Sequence, residues 1–204
     1  MKQANNNLTE LVFVIDKSGS MEGLEKDTIG GFNAMLKEQQ AEVGEAYVTT
    51  VLFSSNYTLL HDRINIKGVE PLTENDYQVG GGTALLDAVG MAMHKIRKVQ
   101  KQTAAEYQAD NVLFVIITDG EENSSRQYTA ERVKKRIARQ QEKYGWKFMF
   151  FGANMDAVQE AENIGIDAKL AISYSADSVG TASSFNQMSQ VSSAVRSGSF
   201  SDFI

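Results

Sequence analysis

Cysteine is absent from the 204 residues, proline occurs once, at Pro71, and tryptophan once, at Trp146. Without cysteine there is no disulfide framework, and nothing in the chain calls for an oxidising compartment. Positive charge is also short: 20 Lys and Arg stand against 26 Asp and Glu, a formal charge of −6 and a pI near 5.0. That balance argues against general nucleic-acid binding, which wants a basic face. No run approaches the ~18 consecutive apolar residues of a membrane span. The start, Met1 to Asn7, is polar and has no hydrophobic stretch of signal-peptide length behind it. These absences lead to the expectation of a cytoplasmic protein with neither a membrane nor a nucleic acid as partner.

Three stretches carry chemistry. Leu11-Val12-Phe13-Val14-Ile15 is an unbroken apolar run rich in β-branched residues, the pattern of a strand buried on both faces of a parallel sheet. It ends at Asp16, and Ser18 and Ser20 follow at alternate positions. Val112 to Ile117 is a second such run, ending in Thr118-Asp119-Gly120. Between them, Gly80-Gly81-Gly82-Thr83 leads into an apolar-periodic helix. Ligands of open α/β sheets bind just outside the carboxyl ends of the strands, where these acids and hydroxyls fall. A carboxylate and two hydroxyls in one tight loop offer hard oxygens, which suit a magnesium-like ion.

The order Asp-x-Ser-x-Ser, a Thr after glycines, then a strand-terminal Asp-Gly resembles the metal-ion-dependent adhesion site of von Willebrand factor A (vWA) domains. The resemblance runs from about residue 8 to about residue 195. It implies a metal site at Asp16, Ser18, Ser20, Thr83 and Asp119. Ser18, Ser20 and Thr83 would coordinate directly, and Asp16 and Asp119 partly through water. The implied ion is magnesium, with manganese or calcium as alternatives, and the implied partner is a protein that supplies an Asp or Glu carboxylate.

The remaining segments fit around this frame. Leu24, Thr28, Phe32, Met35 and Leu36 predict a helix over 23–40, with Gly30-Gly31 inside it as a site of close packing. Residues 46–54 and 57–66 read as strands joined by a tight turn at Ser55-Asn56, hence an antiparallel pair near the sheet edge. His61-Asp62-Arg63 in the second of them is expected to be a solvated edge face. Leu85, Val89, Ala92, Ile96 and Val99 mark a helix of about four turns that also carries His94, an ordinary helix residue, and Asp87, either a partner of the metal loops or a satisfied or solvated helix acid. An amphipathic helix over 128–143 points Val133, Ile137 and Tyr144 inward, and Lys134, Lys135, Arg136 and Arg139 outward as a solvated face. Residues 146–152 form an interior strand, 156–164 a short helix and 168–173 a last strand. A final helix over 176–196 has Val179, Ala182, Phe185, Met188, Ser192 and Val195 inward.

Strands alternating with helices predict a doubly wound α/β fold with right-handed crossovers. Its central sheet is mostly parallel with one antiparallel edge strand, and helices cover both faces, as in vWA and Rossmann-like domains. The expected organisation is a polar extension at 1–7, the domain at 8–196, and a polar tail at 197–204 with Phe200 and Phe203 exposed. The expected function is a divalent-metal-dependent protein-binding module without catalytic activity. The enzymatic alternative is a magnesium-dependent phosphoryl-transfer fold. Haloacid-dehalogenase-type phosphatases carry Asp-x-Asp where this chain has Asp16-Lys17-Ser18, so the second carboxylate is missing. Gly80 to Thr83 also lacks a P-loop lysine. The third reading is a structural domain with a vestigial metal site.

Overall fold

In the computed structural model, which describes residues 7–202, the apolar runs become neighbouring strands of one sheet. The chain runs β1 (Leu8–Asp16), α1 (Glu25–Ala41), β2 (Glu45–Phe53), β3 (Tyr57–Asn65), α2 (Leu85–Gln102), β4 (Asn111–Thr118), α3 (Ala130–Tyr144), β5 (Lys147–Ala153), α4 (Ala157–Ile164), β6 (Ala171–Tyr174) and α5 (Ser178–Ser197). Apart from Asn7, the N-terminal extension lies outside the described residues, as does Phe203 of the tail.

The sheet order is β3-β2-β1-β4-β5-β6. All neighbours are parallel except β2 and β3, which pair antiparallel, with β3 at the edge. This is the doubly wound arrangement expected from the alternation of strands and helices. Helix α1 packs on α5, whereas α2 packs on α3 and α3 on α4, giving two helical layers. The chain leaves β1 towards one side of the sheet and later returns to β4 on the other. The strand order therefore reverses between β1 and β4, and a crevice opens there at their carboxyl ends.

Burial on both faces explains why β1 and β4 lack alternation: Leu11 to Ile15 and Leu113 to Ile117 are all at most 1% exposed. Aromatic pairs link the layers. Phe13 meets Phe32 of α1 edge-on at 5.6 Å, and Phe114 stacks between Trp146 and Phe148 at 5.5 and 5.1 Å. Only half of the Gly30-Gly31 expectation holds. A Cβ at Gly31 would collide with the Phe185 ring of α5, but one at Gly30 would meet nothing within 4 Å.

Several other expectations are corrected by packing. Of His61-Asp62-Arg63 only Asp62 keeps the expected solvated face. His61 is buried with Nδ1 2.9 Å from Thr50 Oγ1, Asp62 pairs with Lys95 at 2.6 Å, and Arg63 pairs with the buried Glu10 at 2.5 Å. The register slips between Val48 and Val51, and Arg63 adopts a positive φ of 49°, so a local irregularity aims its guanidinium at β1. On α5, Val179 and Ala182 are exposed. The buried stripe is instead Thr181, Ser184, Phe185, Met188, Ser189, Val191, Ser192 and Val195, because small hydroxylated residues let α5 lie close against α1. Tyr144 is 47% exposed rather than inward, and Phe200 is buried rather than free in the tail.

Candidate metal centre

Each of the five oxygen-bearing residues sits at a place set by the strand order. Asp16 is the last residue of β1, and Asp119 directly follows β4, its parallel neighbour. Ser18 and Ser20 occupy the turn after β1, where residues Gly19–Met21 form a single 3-10 turn. Thr83 closes the glycine loop two residues before α2 begins at Leu85.

Backbone hydrogen bonds clamp the three loops together. Gly19 N donates to Gly81 O at 3.0 Å and Gly80 N to Lys17 O at 2.9 Å. Asn123 N donates to Thr83 O at 3.0 Å, and Asn123 Oδ1 accepts from Thr83 N at 2.9 Å. The glycines are required twice over. Gly81 has φ +81°, which side chains rarely adopt, and a Cβ at Gly82 would run into Ser124 Oγ and lie 2.7 Å from Asn123 Oδ1.

The side-chain oxygens converge. Ser18 Oγ and Ser20 Oγ are 2.9 Å apart, and Ser20 Oγ donates to Asp119 Oδ1 at 2.5 Å. A Cβ placed on Gly120 would lie 2.9 Å from both Ser20 Oγ and Thr83 Oγ1, and 3.7 Å from Ser18 Oγ. Three hydroxyls from two loops therefore surround a space that the absence of a side chain at residue 120 keeps open. Asp16, Ser18 and Thr83 are buried, Asp119 is partly so, and Ser20 is exposed, so the cluster opens to solvent on one side.

Asp16 is held by two bonds: Ser18 N donates to Oδ1 at 2.7 Å, and Thr118 Oγ1 donates to Oδ2 at 2.6 Å. Burial nonetheless pushes its carboxyl from the ordinary 3.8 up to about 6. The Thr118 and Ser18 bonds work against that rise, and the nearby charge of Asp119 adds to it. Burial also raises Asp119, opposed by the bond from Ser20. Among the described residues, no lysine or arginine acts on either carboxylate. Two part-desolvated acids facing hydroxyls without a counter-cation form a set of hard donors that a divalent ion would satisfy. Among the described residues no group of three or more His, Cys, Asp or Glu is placed to hold a metal, so an ion held here would need hydroxyls among its ligands. The 2.9 Å between Ser18 and Ser20 oxygens suits them as adjacent ligands, since neighbouring donors on an octahedral magnesium lie about 2.9–3.0 Å apart.

Three residues, Thr118, Tyr77 and Glu122, escaped the sequence reading, and Asp87, left there between a partner of the candidate metal loops and an ordinary helix acid, braces one of those loops. Thr118 orients Asp16. Tyr77 reaches in from the loop before the glycines and donates its hydroxyl to Asp16 O. Asp87 of α2 accepts from the backbone N–H of Arg126, Gln127 and Tyr128, and so anchors the loop after Asp119. Glu122 accepts from Leu86 N, Ser124 N and Ser125 N, and thus sits on the first turn of α2. Only Thr118 had a local signal, as the hydroxyl that ends an apolar strand.

No family model and no curated protein matches the sequence. Solved structures do match, at identities that show the fold alone. The vWF domain of the type V pili tip protein Mfa5 from Porphyromonas gingivalis is 12% identical over 92% of this chain and 96% of that one, with a TM-score of 0.63. A von Willebrand factor type A protein from Catenulispora acidiphila is 16% identical over 89% of this chain and 42% of that one, TM-score 0.57. Proximal thread matrix protein 1 from the mussel byssus, with a zinc-occupied MIDAS motif, is 15% identical over 95% of this chain, TM-score 0.56. The chain spans less than half the length of the byssus protein. The fold is that of vWA domains.

Proposed function

We propose that this chain is a divalent-metal-dependent protein-binding module, in which Asp16, Ser18, Ser20, Thr83 and Asp119 hold a magnesium-like ion. The observation that carries the reading is the convergence of Ser18, Ser20 and Thr83 hydroxyls around the Cβ-free Gly120, flanked by two acids on which no basic side chain among the described residues acts. The zinc-occupied MIDAS motif of the byssus protein supports a divalent ion on this fold.

A divalent ion here would be a Lewis acid with little protein charge around it and a position left for an outside oxygen. The chain's own residues do the rest. Thr118 and Ser18 N fix the Asp16 carboxylate, Gly120 leaves room, and the clamp between Gly19 and Gly81 sets the spacing of the hydroxyl loops. A partner's Asp or Glu side chain is the proposed occupant of the outside position. The role is binding rather than catalysis, because the phosphatase-type second acid is replaced by Ser18. A cytoplasmic protein partner is part of the same proposal.

Calorimetry with magnesium and manganese tests it. Few carboxylates contact the ion, so the affinity should be weak, on the order of 10⁻⁴–10⁻³ M, and should vanish in Asp16→Ala. Identical heats for the two proteins would remove the site. Magnesium-dependent hydrolysis of an aryl phosphate would move the reading to the phosphoryl-transfer class.

A further inference from the structure

The opposite end of the sheet carries a second concavity. Trp146 directly precedes β5, and Ala109 lies just before β4, so the amino ends of these strands face away from the Asp119 rim. A cavity of about 390 Å³ opens there between the C-terminal turns of α2 and α3, lined by Arg97, Gln100, Lys101, Gln140, Tyr144 and Trp146 among others. That volume lies at the small end of organic-ligand pockets.

The chain builds this pocket deliberately. Gly145 is left-handed (φ 66°) and ends α3. Gly145 N bonds Gln141 O at 3.0 Å and Trp146 N bonds Gln140 O at 3.2 Å, which turns the indole back under the helix end. The indole is then held by stacking on Phe114. Gln100 is fixed by accepting from Ala109 N at 3.2 Å and donating to Glu10 at 3.2 Å. The walls are therefore preformed, which lowers the ordering cost of binding.

Three features of the lining are unmet by the protein itself. Arg97 and Lys101 are exposed cations, and neither makes an ion pair with a described residue. Gln140 is 3% exposed, yet its Oε1 is buried with no hydrogen-bond partner among the described residues. A buried acceptor without a donor is costly, but this oxygen is closed to solvent and so takes no part in recognising a ligand. Tyr144 and Trp146 add two aromatic surfaces, one exposed and one buried.

We propose that this pocket binds a small anion carrying a planar ring, of about nucleoside-monophosphate size. The ring lies against Trp146 and Tyr144, and the anionic group lies between Arg97 and Lys101. A nucleotide and an aromatic carboxylate share this chemistry, and the test separates them.

Trp146 is the sole tryptophan, so the ¹⁵N-labelled full chain has one indole N–H resonance at the pocket. It is followed while adenosine monophosphate, 1-naphthoate, adenosine and inorganic phosphate are titrated separately. EDTA is present throughout, so the outcome is independent of the metal reading. The expected result is a saturable shift with adenosine monophosphate, with naphthoate, or with both, and the responder identifies the source of the anion. Replacing Arg97 and Lys101 by alanine, both at exposed positions, should weaken that binding about tenfold or more and leave any adenosine response unchanged. No shift by either ring-bearing anion up to about 10 mM overturns the proposal. So does an equal affinity in the double variant, or a response to inorganic phosphate as strong as to the ring-bearing anions.

Discussion

The hydroxyl of Tyr77, from the loop between β3 and α2, donates to the backbone carbonyl of Asp16. Tyr77 is 2% exposed, so a residue outside the motifs, three positions before the glycine loop, sits in the core beside the candidate metal loops. Tyr77→Phe removes one buried hydrogen bond and should cost about 1–2 kcal/mol in denaturant unfolding. It should also weaken magnesium binding, because the carbonyl it holds belongs to Asp16, a proposed ligand. Unchanged metal affinity in a destabilised variant would show that Tyr77 serves the core alone.

Thr83→Ala should weaken both the ion and its partner with little loss of stability. The backbone of Thr83 carries the loop clamp through its N–H and C=O, whereas its hydroxyl faces the site and makes no hydrogen bond with a described residue. Removing that hydroxyl should cost under about 1 kcal/mol in unfolding. Glu22, Glu121 and Asp119 leave the rim acidic, so a partner carboxylate should be repelled when the ion is absent. A complex that forms equally in EDTA and tolerates Thr83→Ala would place the binding on another face.

Removing the ion should leave the domain folded. The core is built from strands buried on both sides, and the candidate site lies at their ends, unlike small zinc domains that fold around the metal. Loss of the circular dichroism signal in EDTA would make the ion structural.

The pH dependence follows from Asp16. Its folded-state value, pushed by burial to about 6, stands above the ordinary 3.8, so folding favours the protonated acid. That contribution is full below about pH 4 and is lost as pH rises through about 6. In EDTA, wild type should lose on the order of 2–3 kcal/mol relative to Asp16→Asn between about pH 4 and 7. Magnesium should reverse the trend above pH 6, and its own binding should fail below it, because the ion needs the carboxylate. A stability difference that is flat with pH in EDTA would mean that Asp16 titrates as an ordinary acid.

The adjacent glycines of α1 should respond oppositely to alanine. Gly30 is exposed with nothing near a Cβ, so Gly30→Ala should stabilise by about 0.5–1 kcal/mol through helix propensity and the unfolded chain. Gly31→Ala should destabilise by about 1–3 kcal/mol by forcing the Phe185 ring out of place. Thermal unfolding of both variants distinguishes them.

What the sequence determined by itself was whatever is encoded over a short stretch. Strands buried on both faces must be continuous apolar runs, so β1 and β4 were plain, and with them the acids at their ends. A two-residue connection at Ser55-Asn56 allows only an antiparallel return, so the edge strand was also legible. The grouping of Asp16, Ser18, Ser20, Thr83 and Asp119 followed from motif order, because parallel strands bring their carboxyl ends to one rim.

The tertiary structure decided the contacts whose partners are distant along the chain. Tyr77 and Thr118 reach Asp16 across 61 and 102 residues, and although Thr118 is marked locally as the hydroxyl that ends an apolar strand, no local pattern names Asp16 as the partner of either. The inward face of α5 was misjudged because close packing on α1 favours Ser184, Ser189 and Ser192 over the larger Val179, and hydropathy alone ranks them the other way. Charged residues such as Glu10 and Arg63 read as surface until a register irregularity pairs them inside. Sequence periodicity reports which side of an element is apolar. It does not report which neighbour the fold brings against that side, and that neighbour decides whether a serine, a tyrosine or a buried ion pair belongs there.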